Sequence, residues 1–219
     1  MDNKVKNRII LFSNLKGGTG KTTLCALFAT YCVSKGIGVA MVDADIQQSI
    51  SRLRSRELSN MENPQEPWQI ISLDTSSVKG VELMMENLKS IPGWILVDCQ
   101  GNLNDNGLLP IFKAADIVIS PLSYENIVID ATSLFIKVFR KVSEAPVLLL
   151  PNRINDAEGT KAEREQRISI IKSLGQLGSI MPRIKQSVAI KRFSTIYSLD
   201  RSQTKYVQEA FDAIIRKLV

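Results

Sequence analysis

Short runs of apolar residues alternate along the chain with stretches in which apolar residues recur every three or four positions. The short runs are typical of strands buried on both faces, and the longer stretches are typical of helices that cover a sheet. This pattern predicts strands over Ile9–Phe12, Gly38–Val42, Trp68–Leu73, Trp94–Val97, Ile117–Ser120 and Val147–Leu150. It predicts helices over Thr22–Lys35, Gln47–Glu57, Val78–Ser90, Ile127–Val142, Thr160–Leu174 and Ser202–Leu218.

The alternation of strands and helices indicates the fold class. Such a pattern implies βαβ units, in which right-handed crossovers connect parallel strands. We therefore expect a single α/β domain over residues 1–219, with a doubly wound, mostly parallel sheet and helices on both faces; the length of 219 residues suits one domain. Ligands of such sheets bind outside the carboxyl ends of the strands, so the loops after the strands are the candidate site.

The composition excludes several kinds of active site. The chain contains no histidine, which rules out Ser-His-Asp triads, Cys-His pairs and histidine-ligated metal sites. Its three cysteines, Cys25, Cys32 and Cys99, include no C-x-x-C pair, so we expect neither a disulfide framework nor a zinc site. Cys25 and Cys32 lie seven positions apart and are expected to be core residues on one helix face. Any general base must be a carboxylate, a lysine, a tyrosine or water.

The net charge of +6 is concentrated in the last quarter of the chain. Residues 1–159 hold 16 basic and 17 acidic side chains, whereas residues 160–219 hold 12 basic and 5 acidic ones. This excess suits nucleic acid or anionic lipid, and on charge alone a solvated basic face explains it equally well. Residues 1–7 lack the apolar stretch of a signal peptide, and no apolar run approaches the ~18 residues of a membrane span. We therefore expect a cytoplasmic protein without stable membrane insertion.

A glycine-rich loop directly follows the first predicted strand, and its end matches the phosphate-binding pattern G-x-x-x-x-G-K-[ST], with Leu15 in place of the first glycine. Glycines let backbone N–H groups turn inward around an anion, and the following helix adds its positive N-terminal end. Lys21 can then reach the β- and γ-phosphates, the Thr22 hydroxyl can bind Mg²⁺, and Thr23 can reach the α-phosphate. The alternative is a glycine-rich turn that contains Lys-Thr by chance, and the strand before and helix after it argue against that.

The sequence from Lys16 to Thr23, K-G-G-T-G-K-T-T, resembles the deviant Walker A motif of the ParA/MinD group of P-loop ATPases. The resemblance implies a P-loop NTPase fold and an ATP site with Mg²⁺. It also implies that Lys16 crosses the interface of an ATP-dependent homodimer and touches the phosphates on the partner subunit, as an arginine finger does. Lys16 and Lys21 are therefore expected to be catalytic. The expected nucleotide-binding residues of the loop are Gly17, Gly18, Thr19, Gly20, Lys21, Thr22 and Thr23.

The second predicted strand ends in acidic residues. Asp43, Asp45 and Gln47 match the family pattern D-x-D-P-Q, with Ile46 in place of the proline. The resemblance implies that Asp43 belongs to the magnesium site and that Asp45 positions or activates the attacking water, a role that a carboxylate can perform without histidine. The alternative for Asp45 is a cap of the following helix, and the two roles are compatible.

Three later loops carry further parts of the resemblance. Asp98 follows a predicted strand and opens a D-x-x-G sequence, which resembles Walker B, where a strand delivers a carboxylate towards Mg²⁺. Asn152 stands where the family has an asparagine that hydrogen-bonds adenine; an Asx-turn is the alternative. The loop from Pro121 to Glu125 resembles a family loop that contacts the partner subunit, but Tyr124 replaces a proline, and an ordinary turn explains it almost as well.

The segment 181–192 resembles the family segment after the last strand, where ParA proteins carry basic residues that bind DNA without sequence preference. The resemblance implies contacts to duplex DNA by Arg183, Lys185, Lys191 and Arg192, and such contacts to phosphates weaken with salt. The expected protein is a small ParA-type ATPase that binds MgATP, dimerises, associates with the nucleoid and partitions plasmid, chromosomal or mobile-element DNA. A ParB-like or other small DNA-binding protein would stimulate its slow hydrolysis. A MinD-like membrane-positioning ATPase and a small-molecule ligase of the dethiobiotin synthase type remain alternatives.

Overall fold

The computed structural model describes residues 6–45, 47–62, 65–99, 101, 105–155 and 160–219. These residues form seven strands and eight helices. The strands are β1 (Arg8–Phe12), β2 (Val39–Ala44), β3 (Gln69–Ser72), β4 (Trp94–Cys99), β5 (Ile117–Leu122), β6 (Val147–Pro151) and β7 (Ser179–Ile180). The helices are α1 (Lys21–Ser34), α2 (Ser49–Leu58), α3 (Val78–Lys89), α4 (Leu108–Ala114), α5 (Asn126–Phe139), α6 (Lys161–Leu174), α7 (Val188–Lys191) and α8 (Arg201–Leu218).

The seven described strands form one sheet in the order β3-β2-β4-β1-β5-β6-β7. Every described pair is parallel. The chain first builds the sheet on one side of β1 and then crosses to the other side at β5. The carboxyl end of β1 therefore lies at the switch point of the topology, where doubly wound sheets bind their ligands. The predicted fold class is confirmed.

All six predicted strands and all six predicted helices are present, with boundaries that differ by a few residues. The sequence did not predict α4, α7 or β7. The elements α7 and β7 have four and two residues, so they are too short to show a hydrophobic period. The seven residues of α4 include Pro110, which is atypical of a helix interior. Ile46, which stands in place of the proline of the family pattern, lies outside the described residues.

Two hydrophobic layers cover the faces of the sheet. In the first, α1 and α8 pack together on one face of the sheet, and the Phe28 ring is 5.1 Å from that of Phe211 and 6.2 Å from that of Trp94. In the second, α3, α4, α5 and α6 pack on the opposite face. Cys25 and Cys32 are fully buried free thiols in α1, as expected. Each fully buried large side chain contributes about 1.5–3 kcal/mol, so both layers stabilise the sheet that carries the loops.

The last helix, α8, closes the fold. It begins with a capping box, in which Asp200 accepts from the Gln203 backbone and the Gln203 side chain accepts from the Asp200 backbone. Its apolar side belongs to the first core layer, and Tyr31 donates a 2.6 Å hydrogen bond to Oδ1 of Asp212. The helix is thus an integral part of the core.

Candidate nucleotide-binding site

The loop between β1 and α1 bounds a cavity of about 510 Å³ at the carboxyl end of the sheet. Gly20 immediately precedes α1 and adopts a φ of 97°, which a residue with a side chain rarely adopts, and a Cβ there would lie 2.5 Å from Nδ2 of Asn152. No side chain caps the start of α1. The amide groups of the first turn of α1 are therefore available to an anion. The loop and α1 residues that line the cavity are Gly17, Gly18, Gly20, Lys21, Thr22 and Thr23.

Lys21 is a half-buried cation at the end of this loop. Burial lowers the pKa of Lys21, and the nearby carboxylates of Asp98 and Asp45 oppose that shift. Its Nζ donates a 3.4 Å hydrogen bond to the backbone oxygen of Lys16. An ammonium group in this position can neutralise a phosphate, since it lies in the cavity wall.

Asn14 fixes the start of the phosphate loop. The sequence did not predict this role of Asn14. Its side chain is fully buried, and Oδ1 accepts a 3.0 Å hydrogen bond from the Lys16 backbone N–H. Its Nδ2 donates to the Pro121 oxygen at 2.9 Å and to Oγ1 of Thr132 at 2.8 Å. The backbone at Lys16 is therefore held from β5 and α5, across the switch point of the sheet. Only the fold brings these three segments together.

Lys16 itself faces a different cavity from Lys21. It lines a second cavity of about 420 Å³ together with Ser123, Glu125 and Arg153. Tyr124 packs against the second core layer instead. The two lysines of the loop thus have different surroundings, and the loop after β5 faces the Lys16 side. Thr19 is buried and lines this second cavity as well.

Asp43 and Asp98 are paired in the register of β2 and β4, so both lie at the carboxyl edge of the sheet. Both are fully or almost fully buried. Asp43 accepts hydrogen bonds from the backbone N–H and hydroxyl of Ser51, at 3.1 and 2.8 Å, and so ties β2 to α2. Asp98 is different, because neither of its carboxylate oxygens has a hydrogen bond of normal geometry within the described residues.

The burial of Asp98 has an electrostatic consequence. Burial raises the pKa of Asp98 to about 7; interaction with the Thr22 side chain opposes the shift, and the charge of Asp43 adds to it. A buried carboxylate without hydrogen bonds is costly, and a cation relieves that cost. A magnesium ion bound to a triphosphate takes few protein ligands, typically a P-loop hydroxyl and water-mediated carboxylates. The pair Thr22 and Asp98 fits this requirement.

No group of three or more acidic or cysteine side chains with metal-binding geometry occurs among the described residues. Cys99 follows Asp98, but it is buried and burial raises the pKa of its thiol. Gly101, two residues on, lets the chain pass close to the phosphate loop, because a Cβ there would lie 2.6 Å from the Leu15 oxygen.

Asp45 is the one acidic residue among the described residues that line the main cavity. Its Oδ1 accepts a 2.9 Å hydrogen bond from the Gln47 backbone N–H, and Gln48 holds the cap position of α2. The helix-cap alternative is therefore wrong, because Asp45 stabilises the turn before the helix rather than its first residue.

The loop after β6 supports the phosphate loop from the other side. Asn152 is buried, and its Nδ2 donates a 2.8 Å hydrogen bond to the Thr19 oxygen. Arg153 adopts a φ of 59°, unusual for a residue with a side chain, and its Nη1 donates a 2.7 Å hydrogen bond to the Gly18 oxygen. The sequence indicated Asn152 by its place after a strand, whereas nothing in the sequence distinguished Arg153. Both residues line the main cavity, and Asn152 stays a prediction as an adenine contact.

The basic segment predicted to contact DNA divides into two pairs. Arg183, Lys185, Lys191 and Arg192 are all exposed. Lys185 and Lys191 line the main cavity with the phosphate loop, whereas Arg183 and Arg192 do not. Ile190, which is almost buried, adds an apolar surface to the same wall. The sequence did not predict this division, because it depends on how the segment packs.

A model of the CobQ/CobB/MinD/ParA nucleotide-binding domain matches residues 10–196. A search of curated proteins finds no significant match. Among solved structures, a Borrelia burgdorferi protein assigned to plasmid partition and bound to AMPPNP is 18% identical, with a TM-score of 0.77 and coverage of 97% of this chain and 99% of that one. A chain of the MinC:MinD cell division protein complex from Aquifex aeolicus is 19% identical, with a TM-score of 0.73 and coverage of 96% of this chain and 95% of that one. At these identities the structural likeness shows the fold.

Proposed function

Because the chain belongs to the CobQ/CobB/MinD/ParA nucleotide-binding domain family and so binds nucleotide through a P-loop, we propose that it is a ParA-type ATPase that partitions DNA. The proposed cycle has three parts. The protein binds MgATP, forms a homodimer in the ATP-bound state, and in that state binds duplex DNA without sequence preference. The observation that supports it best is the cavity in which Lys21, Thr22 and Asp45 meet a glycine-rich loop at the switch point.

Phosphoryl transfer in this site depends on positioned charge. The loop amides and Lys21 bind the β- and γ-phosphates and stabilise the charge that develops on them. Thr22 and Asp98 would hold Mg²⁺, which supplies electrostatic stabilisation of the phosphate oxygens when bound. Asp45 accepts a hydrogen bond from the attacking water and orients it, since the chain has no histidine for that role.

Dimerisation gives Lys16 its proposed role. Its place in the second cavity, apart from Lys21, supports a lysine that acts on the nucleotide of another protomer rather than on its own. A cation that arrives only with the partner makes hydrolysis depend on the dimer, as an arginine finger does. A ParB-like DNA-binding protein would then set the rate by acting on this interface.

DNA binding is supported by the charge distribution. The last 60 residues hold 12 basic and only 5 acidic side chains, and Arg183 and Arg192 are exposed there. Arginine binds phosphate oxygens through several parallel hydrogen bonds and needs no base contacts to do so. An ATP-bound dimer would double this surface.

The membrane alternative has less support. No helix among the described residues is long and apolar enough to cross a membrane. The apolar side of α8 is part of the core, including Phe211, Ile214 and Leu218, so it is not available to insert into a lipid surface. Sedimentation with anionic vesicles in the presence of ATP provides the direct comparison with DNA.

The test combines nucleotide-dependent DNA binding with turnover. We expect duplex DNA to shift only with ATP, and Lys16→Ala to abolish stimulated hydrolysis while monomer nucleotide binding remains largely intact. Lys113→Ala, which removes an exposed lysine of α4, is the matched control. DNA binding that does not depend on nucleotide would show the proposal to be wrong. Full stimulated ATP turnover in the Lys16→Ala variant would do so as well. Binding to vesicles but not to DNA would support the membrane-positioning function instead.

A further inference from the structure

A second wall of the nucleotide cavity is built from the segment 185–191. Lys185, Gln186, Ser187, Ile190 and Lys191 line the cavity together with the phosphate loop. This is the segment whose basic residues the sequence connects with DNA. In the structure two of those residues, Lys185 and Lys191, lie in the wall of the same cavity as the phosphate loop.

The first half of this wall is held in a strand-like register beside the chain that leaves β6. Ile154 donates a 3.2 Å hydrogen bond to the Ile184 oxygen, and Gln186 donates a 3.0 Å hydrogen bond to the Ile154 oxygen. Ile184 is fully buried on the core side. Because side chains alternate along an extended segment, Lys185 lies on the opposite side, towards the cavity.

The second half is the short helix α7, and α8 holds it in place. Ser187 Oγ accepts a 3.1 Å hydrogen bond from the Ala189 backbone N–H at the start of α7. Nε2 of Gln203, a buried residue of α8, donates to the Ala189 and Arg192 oxygens, each at 3.2 Å. The backbone that carries Lys191 is therefore fixed by core contacts, although its side chain is exposed.

The chain beyond α7 is fixed as well. Arg54 of α2 donates to Oγ1 of Thr195 at 2.8 Å and to the Thr195 oxygen at 2.7 Å. Arg54 is 4% exposed, and its guanidinium also lies 4.4 Å from the Trp68 ring. Three elements, β6, α8 and α2, thus hold the segment in one position against the cavity. This degree of support is typical of a ligand-binding wall rather than of a loose surface loop.

The charges of the cavity favour a polyphosphate. Its described lining residues include four cations, Lys21, Arg153, Lys185 and Lys191, and one acidic residue, Asp45. Lysine ammonium groups bind phosphate as point charges and tolerate variable geometry. Arg183 and Arg192 flank the two lysines but do not line the cavity.

We infer that Lys185 and Lys191 bind the phosphate chain of the nucleotide, and that only Arg183 and Arg192 of this segment serve an external polyanion. The assignment of the two lysines rests on nucleotide binding alone, whereas the assignment of the two arginines rests on the DNA-binding part of the proposed function. The same short segment carries both pairs of residues. The inference therefore also explains how nucleotide binding affects DNA binding.

The first test measures ATP affinity without DNA. Lys185→Gln and Lys191→Gln are each expected to weaken binding of a fluorescent ATP analogue with Mg²⁺ about tenfold, which is a typical loss for one charge-assisted contact. Arg183→Gln and Arg192→Gln remove the same charge from neighbouring exposed positions, so they control for the overall field and should stay within about twofold of the parent chain. All four side chains are exposed, so the variants are expected to fold.

The second test uses DNA at an ATP concentration that saturates each variant. The lysine variants should then bind DNA like the parent chain, whereas the arginine variants should bind it more weakly. Equal ATP affinity in all four variants and the parent chain would overturn the inference and leave the proposed function intact. A lysine variant that still fails to bind DNA at saturating ATP would overturn it too. A parent chain that binds no ATP at all would refute both.

Discussion

Replacing Asp98 by asparagine tests the electrostatics of the site most directly. Asp98 is 1% exposed, its oxygens have no normal hydrogen bonds within the described residues, and burial raises its pKa from 3.8 to about 7. Between these two values the folded state holds a proton that the unfolded state has released. The free energy of unfolding therefore falls as the pH rises from about 4, and it levels off above about 7.

The size of the effect follows from the shift. A single carboxyl whose pKa rises from 3.8 to about 7 destabilises the fold by roughly 2.5 kcal/mol more at pH 8 than at pH 5. The asparagine side chain of an Asp98→Asn variant cannot titrate, and its buried amide adds a cost of about 1–3 kcal/mol that does not depend on pH. The stability of the variant relative to the parent chain should thus improve by roughly 2.5 kcal/mol between pH 5 and pH 8.

Urea denaturation of the nucleotide-free protein with EDTA, followed by far-UV circular dichroism at several pH values, measures this difference. The exposed Asp130 of α5 provides the matched control, because Asp130→Asn makes the same chemical change at a position in contact with solvent. Adding Mg²⁺ and a non-hydrolysable ATP analogue should stabilise the parent chain more than Asp98→Asn, since a cation needs the ionised carboxylate. A stability difference that stays constant to within about 0.5 kcal/mol from pH 5 to pH 8 would refute the assignment of a buried, uncompensated carboxyl.

Three further substitutions test the support of the phosphate loop and of its surroundings. Gly20→Ala should weaken nucleotide binding at least tenfold, measured by titration calorimetry, and should lower the free energy of unfolding in urea by about 1–3 kcal/mol. The reason is that Gly20 has a left-handed backbone conformation and that a Cβ there would meet Asn152. An unchanged nucleotide affinity would contradict this prediction. Asn14→Ala should lower the turnover number more than nucleotide affinity in steady-state ATPase assays, since it frees the backbone N–H of Lys16; an equal loss in both would indicate a general loss of structure. Arg54→Met should lower the free energy of unfolding in urea by about 2–4 kcal/mol, because it removes a buried hydrogen-bonding group. A decrease in this free energy of less than about 1 kcal/mol would be inconsistent with that role.

The sequence determined the parts of this protein that depend on neighbouring residues. The hydrophobic period predicted six strands and six helices, because each period reflects one element packed on one sheet. The sequence also predicted the phosphate loop, because the consecutive backbone amides of one short segment form the anion-binding site. The carboxyl-end positions of Asp43 and Asp98 followed as well, because the ends of parallel strands meet at one edge.

Only the tertiary structure decided how distant segments meet around that loop. Asn14, Arg153 and the division of the basic segment gave no signal in the sequence, because each depends on hydrogen bonds between residues far apart in the chain. The unusual state of Asp98 depends on burial and on missing partners, which a motif does not encode. Consecutive residues determine the chemistry of a single loop. The orientation of Lys185 and Lys191 towards the nucleotide cavity instead results from the packing of β6, α8 and α2 around them.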